Sequence, residues 1–328
     1  MHTVWLEREA PFHYKDYLER QTQVVIADHS SDDEYDGIGM ANGVIASISR
    51  YDGDVMDKAP DLLVICRTGI GYDKVDVAAA TERGIAVCNA PDGPTISTAE
   101  HALMLLFAVA KELKYAEYEL RHTEKSDYYA EHQGVELAGK RLGLVGFGRI
   151  ARHMAKVALA MGMQVQAYDP FIDAKVGSDL GVELVSSLQA TLENADVVSV
   201  HVPLMETTRH LINADRFSQM KRGAIFINTA RGGVVDETAL FHALDSGHLF
   251  GAGLDVMEPY PMKSDNPLLH RHNVVVTPHI ASATEDGKKR IYESAASQVL
   301  QVLRGEKPPH LINTDVWDKV LERLKNMG

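Results

Sequence analysis

Short β-branched runs alternate with amphipathic stretches along the whole chain. In the first half, apolar runs at residues 24–27, 44–48, 62–67 and 85–88 have the length and composition of strands. Their alternation with helical segments predicts βα units and a parallel sheet covered on both faces. After Gly139 a second series begins, with strands expected at 141–145, 164–168, 197–200, 224–228, 253–256 and 274–277. The helices between them stop at glycines: Gly162 after 151–161, Gly223 after 214–222 and Gly247 after 237–246. Six strands with crossover helices make a complete doubly wound unit. An amphipathic helix at 285–304 has no strand after it and is expected to return to the first series. The expected organisation is therefore an α/β chain in which residues 99–284 are inserted into a domain formed by 1–98 and 285–328.

The link between the two series is punctuated by Pro91, Gly93 and Pro94, and Ser97 and Glu100 then stand at capping-box spacing. The run 102–110 is apolar on every side, so every face needs cover. A homodimer through residues 97–113 is the expected way to complete it. The run is nine residues long, far short of the roughly 18–20 that span a bilayer. Glu7, Arg8 and Glu9 interrupt any secretory signal at the start.

Composition narrows the classes further. With 45% apolar and 24% charged residues the chain is an ordinary globular one, not disordered or fibrous. Asp plus Glu number 46 against 33 Lys plus Arg, and a net charge of −13 disfavours nucleic acid and anionic membrane as partners. Cys66 and Cys88 both fall in strand-like runs, the pattern of buried thiols in a reducing, cytoplasmic compartment. Residues 28–36 are expected to be a solvated loop, Lys288, Lys289 and Arg290 a solvated helix face, and Tyr14, Tyr17 and Leu18 packing residues. His270, Arg271 and His272 lack carboxylate or cysteine companions at ligand spacing, so no metal site is expected.

The most informative local pattern is G-x-G-x-x-A, from Gly146 through Gly148 to Ala151, after a strand and opening a helix. Gly146 permits a tight turn and Gly148 close approach of backbone to a pyrophosphate. Ala151 allows tight helix–strand packing, and the helix N-terminus supplies N–H donors. Asp169 follows the next strand, 18 residues after Ala151, near the offset at which a carboxylate meets adenosine ribose hydroxyls. A 2′-phosphate beside it would meet like-charge repulsion of about 4 kcal/mol per charge pair at 4 Å and an effective dielectric near 20. No arginine in 170–173 offsets this, so NAD rather than NADP is expected.

From about residue 44 to 282 the chain resembles the D-isomer-specific 2-hydroxyacid dehydrogenases, the family that includes phosphoglycerate dehydrogenase and glyoxylate/hydroxypyruvate reductase. The first motifs that carry the resemblance are Arg67-Thr68-Gly69-Ile70-Gly71-Tyr72-Asp73, Asn89-Ala90-Pro91 leading to Ala99-Glu100-His101, and the Gly146 turn with Asp169. His201-Val202-Pro203-Leu204, Ile227-Asn228-Thr229-Ala230-Arg231-Gly232, Gly253-Leu254-Asp255-Val256 and Thr277-Pro278-His279-Ile280 follow in the family's order. The resemblance implies two Rossmann-like doubly wound domains, with an NAD-binding domain inserted within a flavodoxin-like substrate domain and the active site in the cleft between them. It implies hydride transfer between NAD and a small 2-hydroxy or 2-keto acid. Histidine suits the accompanying proton transfer because it titrates near neutrality.

By the same resemblance His279 is the general acid/base. Arg231, whose planar fork suits a carboxylate, binds the substrate together with Arg67 and the amides of Ile70 and Gly71. Thr98, Gly146, Gly148, Arg149, Ile150, Asp169, His201, Val202, Pro203, Thr229, Ala230, Arg231, Asp255, His279, Ala281 and Ser282 would hold the cofactor.

The chain departs from the family at one place. Most members read Leu-Asp-Val-x-x-x-Glu-Pro, and that glutamate pairs with the catalytic histidine. Here the residues are Leu254-Asp255-Val256-Met257-Glu258-Pro259-Tyr260-Pro261, which puts Tyr260 in the glutamate position. A phenol does not stabilise imidazolium as a carboxylate does. Three readings stay open from sequence: an enzyme with a shifted pH optimum and Tyr260 as third catalytic member, Glu258 reaching the histidine through an altered loop, or an NAD(H)-binding sensor or scaffold with little turnover.

Overall fold

The computed structural model describes residues 1–10, 12–125 and 127–327, apart from the side chains of Phe12 and His13. In chain order it opens with β1 (Thr3–Leu6), α1 (Phe12–Glu19), β2 (Gln23–Ile26), β3 (Gly43–Ala46) and α2 (Gly53–Asp57). β4 (Val64–Arg67), α3 (Val77–Glu82) and β5 (Ala86–Cys88) follow. Next come α4 (Thr95–Ala110), α5 (Leu113–His122), α6 (Tyr128–Glu131), β6 (Arg141–Val145), α7 (Arg149–Ala160) and β7 (Gln164–Tyr168). The chain continues through α8 (Ala174–Ser178), β8 (Glu183–Leu184), α9 (Leu188–Asn194), β9 (Val197–Val200), α10 (Ala214–Gln219) and β10 (Ala224–Asn228). It closes with α11 (Glu237–Asp245), β11 (Leu249–Leu254), β12 (Val274–Val276), α12 (Glu285–Leu303) and α13 (Trp317–Asn326).

These elements form two compact units, Met1–Pro94 with Thr284–Gly328, and Thr95–Ala283. The first unit is a parallel sheet in the order β2-β1-β3-β4-β5, the flavodoxin-like order. Its inner strand β1 escapes the sequence reading, since a threonine and three apolar residues at the start of a chain carry little pattern, although all four are buried. One face packs Val4, Leu6, Tyr14 and Leu18 against Ala295, Val299 and Leu303 of α12. The other buries Trp5, Tyr51, Leu62 and Ile85. Tyr17, expected to pack, is exposed. Cys66 and Cys88 are register partners on β4 and β5, both free and buried. Burial pushes the Cys88 thiol up to about 12 and that of Cys66 well above its ordinary value.

The second unit is an all-parallel, seven-stranded sheet in the order β12-β11-β10-β9-β6-β7-β8. From β8 to β11 this is the dinucleotide-binding order, extended by β12. It has one more strand than the sequence predicts, because β8 is only Glu183–Leu184, paired to β7. β11 occupies Leu249–Leu254 rather than 253–256; Gly251 and Gly253 lie within it, opposite Val109 and Leu105 of α4. α4 starts at Thr95, straight after Pro94, so Ser97 is buried inside its first turn instead of capping it, and Thr98 is buried beside it. Thr98 accordingly belongs to the second unit, not to the end of the first.

α4 packs on β10, β11, β12 and α7. Within the chain its cover is incomplete, since Met104 and Phe107 are each 41% exposed. Among the described residues no helix is long and apolar enough to cross a membrane.

Candidate functional site

Because every strand of the second sheet runs the same way, the segments that follow β6, β7, β9, β10, β11 and β12 emerge along one carboxyl edge. Open α/β sheets bind ligands at that edge. The G-x-G turn follows β6. Gly146 has φ +89°, and a Cβ there would lie 3.0 Å from Val202 Cγ1 and 3.1 Å from the His201 carbonyl, so only glycine fits. Gly148 is the N-cap of α7 and offers no side-chain cap, while a Cβ at Gly148 would meet nothing within 4 Å. α7 thus begins without a capping side chain at its N-cap position.

Asp169 sits at the end of β7 as the sequence predicts, and its Oδ2 accepts from Phe147 N within the turn (2.9 Å). Its Oδ1 accepts from Phe171 N at 3.0 Å. The carboxylate is thereby tied to the glycine turn after β6. His201, Val202 and Pro203 follow β9. Burial pushes the His201 ring down to about 4, so it is neutral at physiological pH, and its Nε2 lies 2.9 Å from Ser199 Oγ.

Beyond β10, Asn228 folds the chain back on itself: its Oδ1 accepts from Ala230 N and its Nδ2 donates to the Arg231 carbonyl, both at 3.0 Å. Arg231 Nη1 donates to the Ala230 carbonyl at 2.8 Å. Gly232 is a second position that excludes a side chain, because a Cβ there would come within 2.2 Å of the Met257 carbonyl carbon. The segment carrying Arg231 is therefore locked against the one carrying Glu258. Asn228 went unassigned in the sequence, although an amide closing an apolar strand immediately before Thr229 was a readable signal.

Thr229 is 8% exposed, and its buried Oγ1 has no hydrogen-bond partner among the described residues. A buried hydroxyl without a partner is costly and points to a missing polar ligand. Together with the cradle at Gly146 and Gly148 and the Asp169 carboxylate, it makes the residues present fit a dinucleotide.

At the ends of β11 and β12 one carboxylate organises a whole turn. Asp255 is 1% exposed. Its Oδ1 accepts from Thr277 Oγ1 (2.6 Å) and Ile280 N (2.9 Å), and its Oδ2 from Ala281 N (2.9 Å). Burial alone would raise its pKa, but the bonds from His101, Thr277, Ile280 and Ala281 outweigh that and hold it below the ordinary carboxylate value. His279 N donates to the Asp255 carbonyl at 2.8 Å, and His279 has φ +57°, a left-handed conformation uncommon for residues other than glycine. Ala281 is buried and Ser282 half-buried in the same segment.

The departure from the family pattern takes a definite form. The Tyr260 and His279 rings meet edge to face, with centroids 5.2 Å apart at 85°. Glu258 instead bonds Arg209 Nη2 at 2.7 Å and lies 3.7 Å from His210 Nε2. Its N–H is held by Glu237 Oε1 at 2.5 Å. In the first unit, Arg67 is buried and its Nε donates to the Gly71 carbonyl (3.2 Å). Asn89 Nδ2 donates to the Ile70 carbonyl (2.7 Å), which fixes the Gly69–Gly71 turn. Among the described residues no group of three or more His, Cys, Asp or Glu could hold a metal ion, the 270–272 cluster included.

Residues 103–281 match the family described as D-isomer specific 2-hydroxyacid dehydrogenase, NAD binding domain. The chain is 43% identical over 283 residues to a D-3-phosphoglycerate dehydrogenase of Methanocaldococcus jannaschii, covering 86% of this chain and 53% of that one. It is 42% identical over 269 residues to a glyoxylate reductase of Korarchaeum cryptofilum, covering 81% of this chain and 80% of that one. It spans about half the length of the phosphoglycerate dehydrogenases that it matches. The crystal structure of a Thermus thermophilus protein superposes with a TM-score of 0.87 at 40% identity, over 94% of this chain and 99% of that one. The chain belongs to the D-isomer specific 2-hydroxyacid dehydrogenases, and its second unit carries their NAD binding domain.

Proposed function

We propose that the protein is an NAD-dependent oxidoreductase that interconverts a small 2-hydroxy acid and its 2-keto acid. The observation that carries this reading is the gathering of the glycine turn, Asp169, Arg231, Asp255 and His279 on one carboxyl edge of a parallel sheet. When bound, the nicotinamide ring gives or takes the hydride. Thr98, Gly146, Gly148, Arg149, Ile150, Asp169, His201, Val202, Pro203, Thr229, Ala230, Asp255, Ala281 and Ser282 are the residues proposed to hold it. Donors at the start of α7 suit the pyrophosphate, and the buried Thr229 hydroxyl supplies a polar contact.

Arg231 binds the substrate carboxylate by its planar fork and polarises the C2 carbonyl. The Ile70 and Gly71 amides, with Arg67, are proposed as further carboxylate donors. His279 delivers the proton to the C2 oxygen during reduction and removes it during oxidation. Tyr260 packs against its imidazole and stands in for the family's carboxylate. The relatives carry the names of dehydrogenases and reductases, and the binding-only alternative is not favoured.

Homodimerisation through residues 97–113, which would cover Met104 and Phe107, belongs to the same proposal, as does a cytoplasmic location. The test is NADH oxidation with a panel of small 2-keto acids. Wild type turns over at least one, Arg231→Ala raises KM and lowers kcat, and His279→Ala lowers kcat by about 10²–10⁴-fold. Oxidation of NADH by none of the panel refutes the reading.

A further inference from the structure

We propose that His101 is a positioning residue for His279, acting through Thr277 and Asp255 to hold the turn that displays the imidazole. The proposal rests on the role given above to His279. His101 lies on α4, remote in sequence from that turn, and its side chain is 14% exposed. Its Nε2 is 2.8 Å from Thr277 Oγ1 and 3.5 Å from Asp255 Oδ1. The Thr277 hydroxyl already donates to Asp255 Oδ1, so its single proton is committed and it meets His101 only as an acceptor. That logic assigns the proton on His101 to Nε2. The result is a one-way chain from imidazole N–H through hydroxyl to carboxylate.

The same carboxylate also holds the two amides after His279, that of Ile280 on Oδ1 beside Thr277 and that of Ala281 on Oδ2, while the Asp255 carbonyl takes the amide of His279 itself. One aspartate therefore fixes the backbone on both sides of a left-handed histidine. Such a conformation is uncommon outside glycine and persists only where its surroundings over-determine it. Without the His101 donor, the Thr277 hydroxyl loses the partner that orients it. A carboxylate with almost no exposed surface then depends on a freely rotating O–H, and the turn loosens. At the other end of β12, Lys114 Nζ on α5 donates to the carbonyls of Leu269 and Arg271 (2.9 Å) and Val274 (3.0 Å). Lys114 braces the entry to the strand without touching the turn, which makes it the natural comparison.

The test compares His101→Leu, His101→Gln and Lys114→Met by steady-state kinetics, thermal unfolding and amide hydrogen exchange of residues 277–282. Loss of the donor in His101→Leu lowers kcat at least about tenfold with both KM values within about threefold of wild type. It also speeds exchange at 277–282 by about tenfold or more while the sheet strands exchange as before. Glutamine, which presents an N–H at a similar reach, returns kcat to within about threefold of wild type. Lys114→Met lowers the unfolding temperature and leaves kcat unchanged. Full kcat in His101→Leu overturns the proposal. So does a kcat loss without faster exchange at 277–282, or a glutamine variant no better than leucine. The exchange measurement needs no turnover, so it decides the positioning role even if wild type reduces no 2-keto acid, a result that defeats the proposed function alone.

Discussion

Tyr260 meets His279 edge to face at 5.2 Å between ring centroids, while the carboxylate of Glu258, two residues earlier, is bound to Arg209. The chain thus keeps an acid close to the family position in sequence but pairs it elsewhere. A phenol beside imidazole supplies packing without a full negative charge.

Tyr260→Glu places that charge next to His279. An opposite charge favours the protonated imidazole, so the limb of the pH–rate profile that reports loss of the His279 proton moves to higher pH, by about one unit. Glu258→Gln, which removes an exposed ion pair worth about 0–1 kcal/mol, leaves the same limb where it is. Profiles of kcat/KM for 2-keto acid reduction check both. A limb that moves in Glu258→Gln and not in Tyr260→Glu would make Glu258 the histidine's partner.

The proposed preference for NAD rests on the carboxylate of Asp169, which Phe147 N and Phe171 N hold at the end of β7. Wild type is expected to prefer NADH to NADPH by about 10²-fold or more, and Asp169→Ser to narrow that ratio at least about tenfold by removing the like-charge repulsion. The ratio of kcat/KM for the two cofactors reads this directly. An unchanged ratio would move the discrimination to another residue.

A stability prediction concerns the first unit. Glu7, 2% exposed, accepts from the amides of Ser47, Ile48 and Ser49 at 2.5–2.8 Å and from Tyr51 Oη at 2.9 Å. Burial raises its pKa, but these bonds outweigh burial and hold it below the ordinary glutamate value. A lowered carboxyl pKa gives stability that is present above the unfolded value and is lost as pH falls through the native one. Glu7→Gln should therefore cost about 3 kcal/mol near neutrality, and the deficit should shrink as pH drops below the ordinary glutamate range. Urea unfolding of both proteins across that range measures it, and a deficit independent of pH contradicts the assignment.

Much of this was legible in the sequence, and the reasons are local. Gly146, Gly148 and Asp169 announce a phosphate turn because each residue type answers one steric or charge demand at a fixed offset from a strand. The doubly wound class follows from alternating strand and helix patterns. What stayed hidden depends on contacts distant in sequence. β8 is too short to carry a period and is a strand only because β7 pairs with it, and β1 is placed by its pairing with β2 and β3. The strand expected at 253–256 begins earlier, at Leu249, with Gly251 and Gly253 inside β11 where α4 comes close. His101 looked like part of a motif with no task, since its partner Thr277 lies 176 residues away. Glu258 could not be placed without seeing Arg209.

The most direct measurement of the central claim follows the hydride itself. NADH deuterated at nicotinamide C4 is incubated with a 2-keto acid that wild type reduces, and the product is examined by NMR. The account predicts one deuterium at C2 of the 2-hydroxy acid, formed by wild type and nearly abolished in Arg231→Ala and His279→Ala. Product without deuterium from either C4 face, or both variants transferring label at the wild-type rate, would contradict it.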